Sequence, residues 1–402
     1  MRRRDFLALA AAPPAAREEL PPVRAITRGP KFHWFGYYDK LQFDPANRNA
    51  LAMEVDFEGR SPRPGDAIQL GMVDLRDNDR WIALGQTTAW CWQQGCMLQW
   101  LPGSKSEVIW NDREGGQYVS RILDVKTRKR RTLPGPIYAV SPDGRWAVCP
   151  DLRRLAYTRP GYGYNGIPDP NRDVLAPEDA GIWRMDLRTG RRKLIFSIAD
   201  AVRIPCPRSD WTGAKHWFNH LLFAPDGKRF IFLHRWTGGA AGGRRVTRMF
   251  TANLDGKEPH IVDDYGGMSH FIWRDPTHIL GWAGRPENQG AFYLYEDRAT
   301  RVEAIGAGVM TSDGHCTYLP GNRWILCDTY PDKQRNQNPY LFDTQTKTRH
   351  PLGHFLSPQP YEGEWRCDAH PRMSRDGRLV TIDSPHAGGR QIYLIDIGGI
   401  AG

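Results

Sequence analysis

The chain has 402 residues, 40% hydrophobic and 11% aromatic, which is ample for a large core and excludes wholesale disorder. No run approaches the ~20 apolar residues of a membrane-spanning helix, and the mean hydropathy is -0.58. A net charge of +10 favours polyanionic partners. The basic residues are nevertheless dispersed, the one dense run (Lys126 to Arg131) reads as a solvated hairpin turn, and no nucleic-acid-binding motif occurs.

The N-terminus, MRRRDFLALAAAPPAA, has the twin-arginine pattern in Arg3-Arg4-Asp5-Phe6-Leu7, then an apolar run and small residues. Residues 1–20 are therefore expected to be an export signal, and 21–402 a single periplasmic or secreted domain, expected as a monomer. The seven cysteines are odd in number and contain no CxxC pair, so they read as small buried apolar residues rather than a disulfide framework.

From residue 40 onward a short strand, a turn and a second strand recur. Four copies align well: "NHLLFAPDGKRFIFLHRW", "SHFIWRDPTHILGWAG", "GHCTYLPGNRWILCDTY" and "AHPRMSRDGRLVTIDS". Three weaker copies lie upstream. The aligned anchors are Phe43, Trp100, Val140, Phe223, Trp273, Tyr318 and Met373, at spacings of 57, 40, 83, 50, 45 and 55. Most units continue into further alternating strands that end in Asp and a turn, which is hairpin chemistry. Seven meanders of this length predict an all-β, seven-bladed β-propeller.

After Met373 only three strands remain, so the outer strand of the last blade is expected from "PVRAITRG", residues 22 to 29, closing the ring. The spacing of 83 leaves room for a loop insertion around residues 151–180, roughly 30–40 residues beyond a ~45-residue repeat. This loop contains Arg159, Tyr162 and Tyr164, and long loops of repeat folds tend to carry function.

His220, His270, His315 and His370 each stand three residues before an anchor. Innermost propeller strands line the central channel, so equivalent positions on neighbouring blades face a shared space. Converging imidazoles there suit a divalent metal such as Zn, Mn or Fe. The alternative is a set of hydrogen-bonded channel histidines in a non-catalytic, TolB-like binding or scaffolding propeller. The matching positions Lys40, Met97 and Ile137 make the cluster one-sided. Lys215, His216 and Trp217 precede His220; His33, Tyr37, Tyr38 and Asp39 precede the first anchor; Gln93 and Gln94 precede the second; and Arg235 ends a second strand. Together they predict a polar, aromatic and basic channel mouth.

Such a mouth suits sugar acids. β-Elimination of a uronate needs its carboxylate neutralised, the α-proton removed and the leaving oxygen protonated. The repeats, "HWFGYYDK" and the "RPGYGY" loop resemble those of secreted seven-bladed propeller polysaccharide lyases, the ulvan lyases and more distantly the oligogalacturonate lyases. The resemblance spans nearly the whole mature chain. It implies His220 as a base candidate, with His216 nearby, Tyr162 or Tyr164 as the acid, Arg159 or Arg235 as the carboxylate partner, and His270, His315 and His370 as ligands of a divalent ion, Zn or Mn. Tyr38, Gln94, Trp217 and Lys215 would contact an anionic polysaccharide or oligosaccharide. One departure is Gln94, which stands where a second-blade histidine is expected and cannot act as a base.

Overall fold

Six of the seven anchors lie on the innermost strand of their own sheet, and the seventh, Phe43, makes an isolated bridge to Ala50. The computed structural model describes residues 19–401, so most of the segment read as an export signal lies outside the described residues. The described chain forms seven four-stranded antiparallel sheets arranged as the blades of a propeller, with one additional two-stranded ribbon. Only three short α-helices and two 3₁₀ turns occur among the described residues.

The first blade runs from Phe32–Trp34 through Asn49–Val55 and Ile68–Asp74 to Arg80–Thr87. The last blade consists of Arg372–Met373, Leu379–Ser384 and Gln391–Asp396, and its outer strand is Val23–Ala25. Val23, Arg24 and Ala25 pair antiparallel with Ile395, Leu394 and Tyr393. The ring therefore closes as the strand count predicts. Both ends of the chain thus meet in one blade, and the fold leaves only short strand edges to template association.

Apolar residues on both faces of the second strands explain how the blades stack. In Arg229–Thr237, Phe230 and Phe232 face one neighbouring core while Ile231 and Leu233 face another. Trp34, Trp90 and Trp92 pack with centroids 5.0 to 5.5 Å apart beneath the first two blades. Truncating a fully buried indole of this kind to alanine costs about 3–5 kcal/mol. All seven cysteines are buried and unpaired, and no described helix is long and apolar enough to cross a membrane.

Two excursions from the blades position the site. Between Trp146–Cys149 and Gly181–Asp186 the chain forms the helix Leu152–Thr158, capped by Asp151 accepting from the Arg153 N–H. The buried guanidinium of Arg154 then donates to the carbonyls of Asn171, Val174 and Leu175, and to His216 on the fourth blade. This pins the loop to the ring. Gln93 donates to the carbonyls of Glu364 and Arg366, and its N–H to Gly161, tying the second excursion (residues 357–368) to the first.

Candidate metal and catalytic site

The first blade's inner strand breaks after Trp34, and residues 35–40 dip into the channel. Arg372 and Asp383 of the last blade hold this dip. Asp383 accepts the N–H groups of Phe35 and Gly36, while the Arg372 guanidinium donates to the Gly36 carbonyl and to both Asp383 oxygens. Gly36 has a φ of +109, and a Cβ there would lie 2.9 Å from the Gln94 carbonyl carbon, so only glycine fits. Tyr37 and Tyr38 are thereby pushed to the axis. The Tyr38 hydroxyl donates to the Phe271 carbonyl and accepts its N–H.

The histidines gather around this tyrosine pair. Ring centroids of His270 and His315, and of His315 and His370, are 4.2 Å apart. His220 lies 4.9 Å from Tyr37 and 5.6 Å from Tyr38. His220 and His370 adopt φ of 50 and 42, and Met97, at the same repeat position, has 59. In the fourth blade the pairing register shifts between Asn219 and Leu222, across His220. A bulge with left-handed backbone re-aims a side chain that a regular strand would leave facing a neighbouring blade.

Three of the four histidines hold a carboxylate of their own. His220 Nε2 lies 3.1 Å from Asp39, whose other oxygen is 2.9 Å from Lys40 Nζ. His270 Nδ1 is 2.9 Å from Asp313, and His315 Nδ1 is 3.0 Å from both oxygens of Asp328. Asp328 also accepts the backbone N–H groups of His315 and His370 at 2.6 and 3.1 Å, which aligns the two residues. With Nδ1 of His315 spent on Asp328, its Nε2 carries a free lone pair.

That Nε2 and the Nε2 of His370 are buried with no hydrogen-bond partner. Together with Asp368 they form the one group of potential ligands among the described residues whose donor atoms all lie within 4.8 Å of one another. Two imidazoles and a carboxylate suit Zn, Mn or Fe. Two orphaned buried nitrogens aimed at one carboxylate are what a cation site requires and what a set of satisfied structural histidines would lack. His270 stands beside this triad rather than within it, its Nδ1 on Asp313. Asp368 escaped notice in the sequence, although an acidic residue two positions before His370 is a legible signal. Asp328 is likewise findable by extending the Thr317↔Leu326 pairing two residues, to His315 and the Asp of "RWILCDTY".

Next to Tyr37 lies a cationic cluster, joined to the triad by Arg366, whose Nε donates to Asp368 at 2.8 Å. Tyr162 is buried with its ring 6.4 Å from Tyr37. Arg366 donates to its hydroxyl at 2.7 Å and Arg159 stacks 4.6 Å from its centroid. Burial raises the Tyr162 pKa, but Arg366 and Arg159 outweigh it and hold the phenol below its ordinary value. Arg235, also buried, is pushed down to about 9 by burial and by its neighbours Arg159 and Arg245. The Nε atoms of Arg159 and Arg235 have no partner. Arg366 has Asp368 as its anion, but Arg159 and Arg235 make no ion pair among the described residues, and guanidiniums so placed are costly unless an anionic ligand completes them.

Of the remaining predicted site residues, Gln94 backs Gly36 behind the tyrosine pair and the others lie apart from this centre. Tyr164 is buried under the third blade, where its hydroxyl accepts from Asn111 and its carbonyl from Tyr118. His216 packs on His234, with Nδ1 and Nε2 3.0 Å apart, and Arg248 donates to His234 from the far side. Trp217 belongs to the core, Lys215 bonds the Arg172 carbonyl on the rim, and Gln94 donates to the Tyr138 hydroxyl.

The buried imidazoles give a pH dependence of stability. Burial lowers both His216 and His220 to about 4, in the second case against the pull of Asp39. In both the folded value is below the ordinary 6.5, so the unfolded chain binds more protons between the two. Their contribution is complete above about 6.5 and is lost as pH falls through about 4. At on the order of 3 kcal/mol per group, the thermal midpoint is expected to drop by roughly 5–10 °C between neutral and mildly acidic pH. Calorimetry across that range checks this, and a flat profile would contradict it.

No family model matches this chain, and no curated protein is significantly similar to it. Among solved structures it resembles oligogalacturonate lyase from Vibrio parahaemolyticus, with a TM-score of 0.66, 14% identity and 93% of each chain covered. An oligogalacturonate lyase in complex with manganese gives a TM-score of 0.65 at 14% identity, over 94% of this chain and 93% of that one. The tricorn protease gives 0.54 at 12% identity, over 92% of this chain and 34% of that one. At such identities the shared property is the fold, a β-propeller.

Proposed function

We propose that this protein is a metal-assisted lyase that cleaves uronate-containing oligosaccharides or polysaccharides by β-elimination. The observation that carries the reading is the His315–Asp368–His370 triad, with two orphaned nitrogens, beside Arg159 and Arg235, whose Nε atoms have no partner. The solved oligogalacturonate lyases of like fold, one in complex with manganese, support it.

A divalent cation held by His315, Asp368 and His370 would neutralise the uronate carboxylate and acidify the proton α to it. Arg159 and Arg235 orient that carboxylate or its neighbour along the chain. Burial works to raise Asp39, but Lys40 and His220 hold it down to about 2, so it remains a carboxylate and keeps the His220 proton on Nε2. The lone pair of His220 then sits on Nδ1, ready to take the α-proton. As that C–H bond breaks, its electrons form the α,β double bond and expel the glycosidic oxygen from the β-carbon. Tyr162 protonates that oxygen: Arg366 donates to the phenol oxygen, leaving its proton available and its conjugate base stabilised. The site as a whole is one-sided, as the metal-free positions in the first three blades require.

The test is turnover by the full chain on oligogalacturonate, ulvan and other uronate polymers, followed by the ultraviolet absorbance of the unsaturated product. The metal-loaded protein is expected to generate it, with activity lost on chelation and restored by Mn or Zn. Absence of unsaturated product from every uronate would overturn the proposal. Periplasmic or extracellular location, suggested by Arg3-Arg4, belongs to the same proposal.

A further inference from the structure

The histidines sit before the anchors of the inner strands; the turns that follow the anchors surround the other end of the channel. There a cavity of about 600 Å³ opens, bounded by Leu101, Val140, Leu222 and Phe223 and by turn prolines from three blades. The plug of Tyr37 and Tyr38 separates it from the arginine cluster, and Asp39 and Lys40 close its inner end. Its size and largely apolar wall are those of a small-molecule site.

Its charge is specific. Lys40 is neutralised by Asp39 at 2.9 Å. Arg375, half-buried at the wall, donates its Nε to the Phe43 carbonyl at 3.1 Å and makes no ion pair among the described residues. An apolar chamber with one guanidinium that makes no ion pair recognises an amphiphile carrying one anionic group, since a planar carboxylate matches the guanidinium edge. We propose that this second mouth of the channel is a binding site for a small monocarboxylate with an apolar body, distinct from the sugar-acid site and meeting it only at Asp39 and Lys40. The carboxylate lies on Arg375 and the apolar body against Leu101, Val140, Leu222 and Phe223.

Titration calorimetry of the full chain with octanoate, octylammonium and octanol tests this. Octanoate is expected to bind saturably at one site, and octylammonium at least about tenfold more weakly. Arg375→Ala should weaken octanoate by about tenfold or more, while Val140→Trp, which fills the chamber, should abolish binding. His315→Ala should leave octanoate affinity unchanged. Equal affinity for octanoate and octylammonium, unchanged binding in Arg375→Ala, loss in His315→Ala, or no saturable binding at all would each overturn the assignment.

Discussion

Replacing His315 with alanine is expected to strip the protein of its divalent cation and to lower kcat/KM by about a hundredfold or more. The substitution removes one of two orphaned nitrogens and also frees the Asp328 carboxylate that aligns His370 through its N–H group. Ligand and second-sphere partners act together in such sites, and loss of outer-sphere partners alone costs about 10–100-fold in affinity or activity. Metal analysis of the purified variant, with turnover measured at saturating Mn, separates the two effects. Full metal content in His315→Ala would refute the ligand assignment whatever the activity.

The second large effect is expected at His220. Alanine here should lower kcat by about 10²–10⁴, the usual contribution of a general base, while metal content stays at the wild-type level. His220 makes its polar contact with Asp39 and stacks 4.0 Å from Phe271, outside the ligand triad. Because burial holds its pKa down to about 4, the imidazole is neutral over most of the working range. The wild-type rate should therefore fall only as pH drops through about 4, the side on which His220 gains a proton. Asp39→Asn should reduce kcat as well, since an amide can donate to Nε2 and trap the wrong tautomer. A His220→Ala variant with unaltered kcat would remove His220 from the chemistry and leave the metal triad standing.

Much of the ring was legible because one apolar anchor and one Pro-Asp-Gly-type turn recur in each blade, and such a period admits few folds. The convergence of His220, His270, His315 and His370 followed from their common offset. The partners were less visible. Which nitrogen of His315 is free depends on Asp328 across the sheet, and the fate of His220 depends on Asp39 from a different blade. Tyr162 and Tyr164 look equivalent in "RPGYGY" yet separate completely. Gly163 lies so close to the helix that a Cβ would come within 2.2 Å of the Ala156 nitrogen, and the chain reverses there. Tyr162 thus reaches the arginines while Tyr164 enters the core. His216 and Trp217 precede His220 on the same strand but lie before the bulge, so regular alternation sends both into blade packing.

The grip of Arg372 and Asp383 on Phe35 and Gly36 has a consequence for biogenesis. It joins segments 347 and 348 positions apart in the chain, and through them sets Tyr37, Tyr38 and Asp39 among the imidazoles. No partial ring holds the completed centre, however many blades have already condensed. Contacts of such sequence separation form late and slowly, so the centre is completed in one step with the final blade, and on the proposed function a nascent or truncated chain is expected to be catalytically silent rather than partly active.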